Sequence, residues 1–249
     1  MFPHLTPGQW ALAVLAALCS GISKSGFTGL GLVTVIVFAQ LFPPRESTGL
    51  LLPLLICGDI FAVLSFRRHA DWHQIWRMLP PTLVGIVAGF FLMSHIPGSR
   101  FNAVIGTSVL AMSLLQAARR FFPGLYRNVP HTRGFAYTLG AGCGLTTMLA
   151  NGAGPVMALY LLAIDLPKLA FVGTGAWFFL MVNVFKVPFS AKLGLITGPS
   201  LLFNLALVPA VGLGILLGRW LIHIVPQKLF ETLLLIFTTI ASLRLIGLF

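Results

Sequence analysis

The sequence predicts an all-α polytopic membrane protein made of two inverted repeats, each a glycine-broken re-entrant hairpin followed by three transmembrane helices. Three observations lead there. The 249-residue chain is 57% hydrophobic and 8% charged, with a mean hydropathy of +0.96, more apolar surface than a soluble domain can hide. Glycine clusters break a long apolar segment near its middle in each half of the chain. The residues around the breaks also recur at matched spacing. Gly21, Ser23, Gly29 and Gly31 are spaced as Gly144, Thr146, Gly152 and Gly154, and Gly85, Gly89, Pro97 and Phe101 as Gly214, Gly218, Pro226 and Phe230. The spans must be helices, because lipid offers backbone groups no partner and the alternating pattern of a membrane barrel is absent.

The first broken segment runs from Gln9 to Phe42. Between Gly21 and Gly31, four glycines and three hydroxyl residues interrupt it, and the chain is expected to bend there. About 13 apolar residues remain on each side, roughly 20 Å of helix, too short for a hydrocarbon core of about 30 Å. A hairpin that enters and leaves by one face is therefore expected. The turn Pro43-Pro44-Arg45-Glu46 leads into a span from Ser47 to about Phe66, closed by the basic and aromatic loop Arg67 to His73. A second span is expected from about Met78 to His95, with Pro80 and Pro81 in its first turn, where proline is tolerated. Pro97 to Arg100 turns the chain into a third span, Phe101 to Ala118.

From Gly134 the plan starts again. A glycine-broken segment runs to about Ile164, followed by spans near Leu169 to Phe189, Pro199 to Ile222 and Lys228 to Phe249. The expected organisation is one transmembrane domain: a first repeat over residues 1–118, a cytoplasmic connecting loop over 119–133 and a second repeat over 134–249.

A hairpin plus three crossings is an odd number of crossings, so the second repeat enters the membrane upside down relative to the first. One side then receives Arg67, Arg68, Arg77, Arg119, Arg120, Arg127, Arg133, Lys168 and Lys228. The other has Arg45, Arg100, Lys192 and Arg244, with Lys186 near it. The richer side is cytoplasmic, which places both termini outside the cytoplasm. If each broken segment crossed once instead, the repeats would be parallel and the basic residues less unevenly divided. The net charge of +11 is thereby read as topology and not as a nucleic-acid surface. Cys19, Cys57 and Cys143 lie in apolar segments and are odd in number, which speaks against a disulfide framework. The N-terminus lacks the basic region of a signal peptide and is read as mature chain.

Hairpins entering from opposite faces would bring Ser23, Lys24, Ser25, Gly26, Thr28 and Gly29 to Thr146, Thr147, Asn151 and Gly152 at the midplane. Helix N-termini there, with hydroxyl donors and an ammonium, suit a small oxyanion. The alternative is that the glycines only let helices approach and the hydroxyls bond to backbone. Lys24 either faces a cavity or snorkels to an interface. Asp59, the one acid deep in a span, either pairs with a base or couples transport to protons. Asn183 and Lys186 could face the same cavity, although Lys186 is close enough to a helix end to snorkel. Gly85/Gly89 and Gly214/Gly218 read as helix-packing pairs. No metalloprotease, nucleophile-elbow or dinucleotide motif is present, so the sequence gives no support to an enzyme, a cofactor or a metal site.

The break Ser25-Gly-Phe-Thr-Gly-Leu-Gly31, the Thr48-Gly49 span ending in the loop Phe66 to Trp72, and the second break Asn151-Gly-Ala-Gly154 together resemble the TauE/SafE family of sulfite and organosulfonate exporters, also called TSUP. The resemblance implies a multi-pass transporter of the bacterial cytoplasmic (inner) membrane. Its implied partners are the lipid bilayer and a small sulfur-containing anion such as sulfite or sulfoacetate. Proton coupling and a homo-oligomer are left open, and no nucleic acid is implied. The first break carries fewer consecutive glycines than is common in that family. The competing readings are a facilitator for another small organic anion and a non-transporting membrane assembly protein.

Overall fold

The computed structural model describes residues 5–27, 29–122, 132–164 and 166–224, with a few positions between 236 and 248; for 99, 119, 120, 168 and 222–224 only the backbone is described. Among the described residues the regular structure is helical throughout. The predicted span from Lys228 onward lies almost wholly outside them.

Each helix begins and ends for a local reason. Helix α1 (Pro7–Ser23) opens on a capping box, with Gln9 N–H donating to Thr6 Oγ1 at 3.3 Å and Thr6 N–H to Gln9 Oε1 at 2.9 Å. It ends in the turn before Gly26, whose φ of 109° only glycine adopts without strain. Helix α2 (Leu30–Leu41) stops ahead of Pro43, and Pro44 then occupies the first turn of α3 (Pro44–Phe66). A 3₁₀ turn over Arg67–His69 precedes α4 (Trp72–His95), and a second over Gly98–Arg100 precedes α5 (Phe101–Phe121). In the second half come α6 (Arg133–Ala150), α7 (Gly154–Ala163), α8 (Lys168–Lys192) and α9 (Gly198–Ile224).

One sequence expectation is corrected here. Helix α4 starts at Trp72, well ahead of Met78, because the Asp71 carboxylate accepts the orphan N–H groups of His73 and Gln74 at 3.0 and 3.3 Å. Pro80 and Pro81 therefore lie inside the helix and not in its first turn. Proline there removes a ladder hydrogen bond and crowds the preceding turn. The Pro81 ring fits because it meets α6 at Gly140, where a Cβ would come within 2.6 Å of its Cγ.

Among the described residues five helices, within Pro44–His69, Trp72–His95, Phe101–Ala118, Leu169–Lys192 and Gly198–Leu221, are long and apolar enough to cross a membrane. Their outward faces remain apolar: Leu64, Val84, Leu205 and Leu216 are each 62–67% exposed, which suits lipid and not water. Helices α1, α2 and α7 are apolar but shorter.

Both broken segments fold back on themselves. In the first, Thr34 Oγ1 on α2 donates to the Ala16 carbonyl on α1 at 3.0 Å. Its two ends meet at one aromatic residue of α9, with Trp10 and Phe42 ring centroids 5.1 and 5.4 Å from that of Phe203. In the second, the Phe135 and Tyr160 rings lie 6.3 Å apart, and the Tyr160 hydroxyl donates to Gln74 Oε1 at 2.6 Å near the start of α4.

Two close helix crossings tie the bundle together, and they correspond residue for residue. A Cβ on Gly21 of α1 would strike the Val211 carbonyl of α9, and one on Gly144 of α6 would strike the Thr82 carbonyl of α4. Val211 and Thr82 each stand three positions before the glycine that faces the contact, Gly214 and Gly85. The reciprocal contacts match too, with Gly214 against the Leu18 carbonyl and Gly85 against the Ala141 carbonyl. Gly218 then abuts Ile22 and Ser25, as Gly89 abuts Leu145 and Met148. In lipid, helices associate through such van der Waals contact, and it requires small residues. Between these crossings α3 lies against α8, with Gly49 against Leu195 just past the end of α8 and Gly173 of α8 against Phe66, His69 and Ala70 at the other end.

Candidate functional site

The two breaks and the middle of the α3–α8 contact converge on one cavity of about 90 Å³. By the volume a single buried water needs, roughly 10–15 Å³, it is ample for several waters or one small oxyanion. Its wall includes Ser23, Lys24 and Gly26 from the first break, Thr147 and Asn151 from the second, and Asn183 from α8. Helix α8 contributes a stripe at four-residue spacing, Phe171, Gly175, Phe179 and Asn183, facing Leu55 of α3.

The polar atoms form two groups. In the first, Lys24 Nζ donates to Asp59 Oδ1 at 2.6 Å, and Asn183 Nδ2 donates to Asp59 Oδ2 at 2.7 Å. Asp59 has no solvent exposure, while the Lys24 side chain keeps 12% and lies with its ammonium 5.2 Å from the centre of the Phe179 ring. Asp59 follows Gly49 by the same ten positions that separate Asn183 from Gly173, so the two residues joined by this bond occupy matching places on α3 and α8.

In the second group, Lys186 Nζ donates to Asn151 Oδ1 at 2.6 Å and to Thr147 Oγ1 at 3.2 Å. Asn151 Nδ2 donates in turn to the Thr48 carbonyl at 2.9 Å. Asn151 also ends α6 in the left-handed conformation, φ 51°, which asparagine tolerates better than most residues. Both of its amide atoms are thus committed to holding the second break against α3 and α8.

Helices α2 and α7 both start at this cavity, through Gly31 and Leu32 and through Ala153, Gly154 and Pro155. Neither start has a side-chain cap, in contrast to α1, α4 and α6. Two helix N-termini, each with the partial positive charge of its macrodipole, converge with an ammonium and two amide side chains on this small space. That arrangement favours a small anion with several acceptor oxygens.

The sequence-predicted residues divide accordingly. Ser23, Lys24, Gly26, Thr147, Asn151 and Asn183 share the cavity wall, and Asp59 lies directly behind Lys24 and Asn183. Ser25 is buried against α9, where its hydroxyl donates to the Ile215 carbonyl at 3.3 Å. The Thr146 hydroxyl donates to Gly142 within its own helix, and Ser23, though at the wall, donates to Ser20. Gly29 and Gly152 shape the turns and are not part of the wall, and Thr28 lies outside the described residues. The snorkelling considered for Lys186 does not occur: the side chain is 2% exposed and bonded inward. Phe171 and Phe179 escaped sequence reasoning, although counting back in fours from Asn183 finds both. Among the described residues, no group of three or more His, Cys, Asp or Glu side chains could hold a metal ion.

Comparison with family models returns a match to the family described as Sulfite exporter TauE/SafE, over residues 13–245. Searches of curated proteins and of solved structures each found no match.

Proposed function

From the premise that the chain belongs to the sulfite exporter TauE/SafE family, we propose that it is a secondary transporter for a small sulfur-containing anion, sulfite or an organosulfonate such as sulfoacetate, in the bacterial cytoplasmic membrane. The observation that carries the reading is the cavity itself. It joins both chain breaks, two helix starts without side-chain caps, Lys24, Asn151 and Asn183 in one small space. A membrane assembly protein whose breaks served only packing would account for Gly21 and Gly144. It would have no use for the Lys24–Asp59 ion pair and the buried Lys186 gathered beside a cavity.

The two folded-back segments are proposed to be re-entrant hairpins entering from opposite faces, with residues 1–118 and 134–249 as inverted repeats joined by a cytoplasmic connection. Three facts support this. The two glycine crossings are equivalent in detail. The ends of the first folded-back pair meet beside the start of α9, and those of the second beside the start of α4. The uneven division of basic residues read from the sequence supports the same arrangement, and Arg219, exposed near the end of α9, adds one more to the proposed cytoplasmic side. In this arrangement Asp59, bonded to both Lys24 and Asn183, is the group proposed to couple the anion to protons.

Purified protein in proteoliposomes tests the function directly. Labelled sulfite or sulfoacetate should be taken up by counterflow, and accumulated further under an imposed proton gradient. Liposomes that show no protein-dependent flux of either anion would refute the transporter reading in favour of the assembly protein.

A further inference from the structure

The ionisable side chains around the cavity do not balance. Lys24 and Asp59 form an ion pair, so their charges cancel. Lys186 makes its two hydrogen bonds to neutral oxygens of Thr147 and Asn151, and no carboxylate among the described residues lies within ion-pair distance of it. It is 2% exposed, yet close enough to Lys24 and Asp59 for their charges to act on it. The next cation along α8, Lys192, is exposed at the helix end and lies over the Phe90 ring, away from this group. With Lys24 and Lys186 protonated and Asp59 ionised, the cluster carries one positive charge in excess, held by a side chain that cannot reach water. An uncompensated charge at such a position is costly, and a ligand of one negative charge removes that cost. A ligand of two leaves the cavity with an uncompensated negative charge instead.

We propose that the cavity is charge-matched to a monoanion: Lys186 provides its one unbalanced positive charge through Asn151 and Thr147, and the site takes a singly charged sulfonate in preference to a doubly charged one. This rests on the sulfur-anion reading above and narrows it. For sulfite it assigns the hydrogen-sulfite form as the species bound, and it places sulfoacetate, with its second carboxylate charge, below sulfonates that lack one.

Isethionate and sulfoacetate are close in size and differ in whether a hydroxymethyl or a carboxylate follows the sulfonate carbon. Calorimetric titration of the folded full chain with each should show isethionate bound at least about tenfold more tightly. The preference should follow net charge and not residue identity. Lys186→Met, which brings the cluster to zero, should weaken isethionate by a similar factor and sulfoacetate by more, so that the preference widens. Asp59→Asn, which raises it by one, should move the preference toward sulfoacetate. Lys24→Met/Asp59→Asn, which removes a neutral pair, should restore the preference for isethionate. If the single Asp59→Asn variant does not fold, comparison of Lys186→Met with the double variant decides the matter. Wild-type protein that binds both ligands equally, or sulfoacetate more tightly, overturns the charge-matching and leaves sulfur-anion transport standing. A preference unchanged in Lys186→Met overturns it as well. Wild-type protein that binds neither sulfonate overturns this inference, and protein that also fails to bind sulfite refutes the sulfur-anion reading itself.

Discussion

Truncating Lys24 to alanine takes away the cation that Asp59 faces. Asp59 has no exposure and would retain Asn183 as its one remaining hydrogen-bond partner outside its own helix. Removing one member of a buried pair costs about 3–5 kcal/mol, because the other is left charged in a medium of low dielectric. Lys24 keeps 12% of its side chain exposed, so cavity water offsets part of the loss, and the lower figure of about 3 kcal/mol is expected. For a chain of this length that corresponds to a fall in Tm of roughly 6–12 °C. Thermal unfolding of the detergent-solubilised protein measures it. Lys24→Arg, which keeps the charge, should lose less. Lys24→Ala/Asp59→Asn should recover most of the loss, since it removes the stranded carboxylate along with its partner. A Lys24→Ala variant as stable as wild type, or a double variant no better than the single, would show that the 2.6 Å contact is not a stabilising ion pair and would refute the reasoning. Anion affinity in the same variants supplies a second reading. If Lys24 touches the ligand, Lys24→Ala should weaken sulfite binding more than Lys24→Arg does.

Three further outcomes are expected. Gly21→Ala and Gly144→Ala should each destabilise by about 1–3 kcal/mol, because the new methyl would meet backbone atoms across a helix crossing, whereas Gly142→Ala, with open space around it, should be close to neutral in the same unfolding assay. Reporter fusions at the C-terminus should read extracytoplasmic and fusions within residues 119–133 cytoplasmic; a cytoplasmic C-terminus would rule out the inverted arrangement as drawn. Asp59→Asn should abolish accumulation driven by a proton gradient while counterflow of the anion persists, and gradient-driven accumulation in that variant would make Asp59 a structural partner of Lys24 alone.

Much of this architecture is legible in the sequence because its cause is local. Glycine clusters stop a helix wherever they occur, so the breaks near residues 24–29 and 151–153 could be placed without tertiary information. The matched spacing of Gly21 with Gly144 and of Gly85 with Gly214 likewise needs only the order of residues, and the structure turns those four into mutual contacts. The start of α4 was hidden because an Asp71 cap does not stand out within a loop that also carries arginines and tryptophan. Lys186 stays open between cavity and interface in the sequence for a related reason. A span ending near Phe189 puts it close to an interface, whereas α8 runs on to Lys192 and leaves it enclosed. The pairing of Lys24 with Asp59 joins the turn after α1 to α3 across 35 positions, and no pattern along the chain announces it. Ser25 shows the opposite error. Its hydroxyl suits an anion site by composition, but the turn at Gly26 directs it onto α9.

The glycine crossings carry one more implication. Helix α1 belongs to the stretch before the connection between α5 and α6 and closes against α9, which follows it; α4 precedes that connection and closes against α6, which follows it. Each stretch therefore presents its small-residue faces to the other and keeps none for itself. Cut at the connection, neither piece could complete a crossing from its own helices. Two fragments made together in one membrane have every surface they require, while one made alone can close its grooves only on a second copy of itself. What looks along the chain like a tandem of two modules is, in space, an exchange of arms.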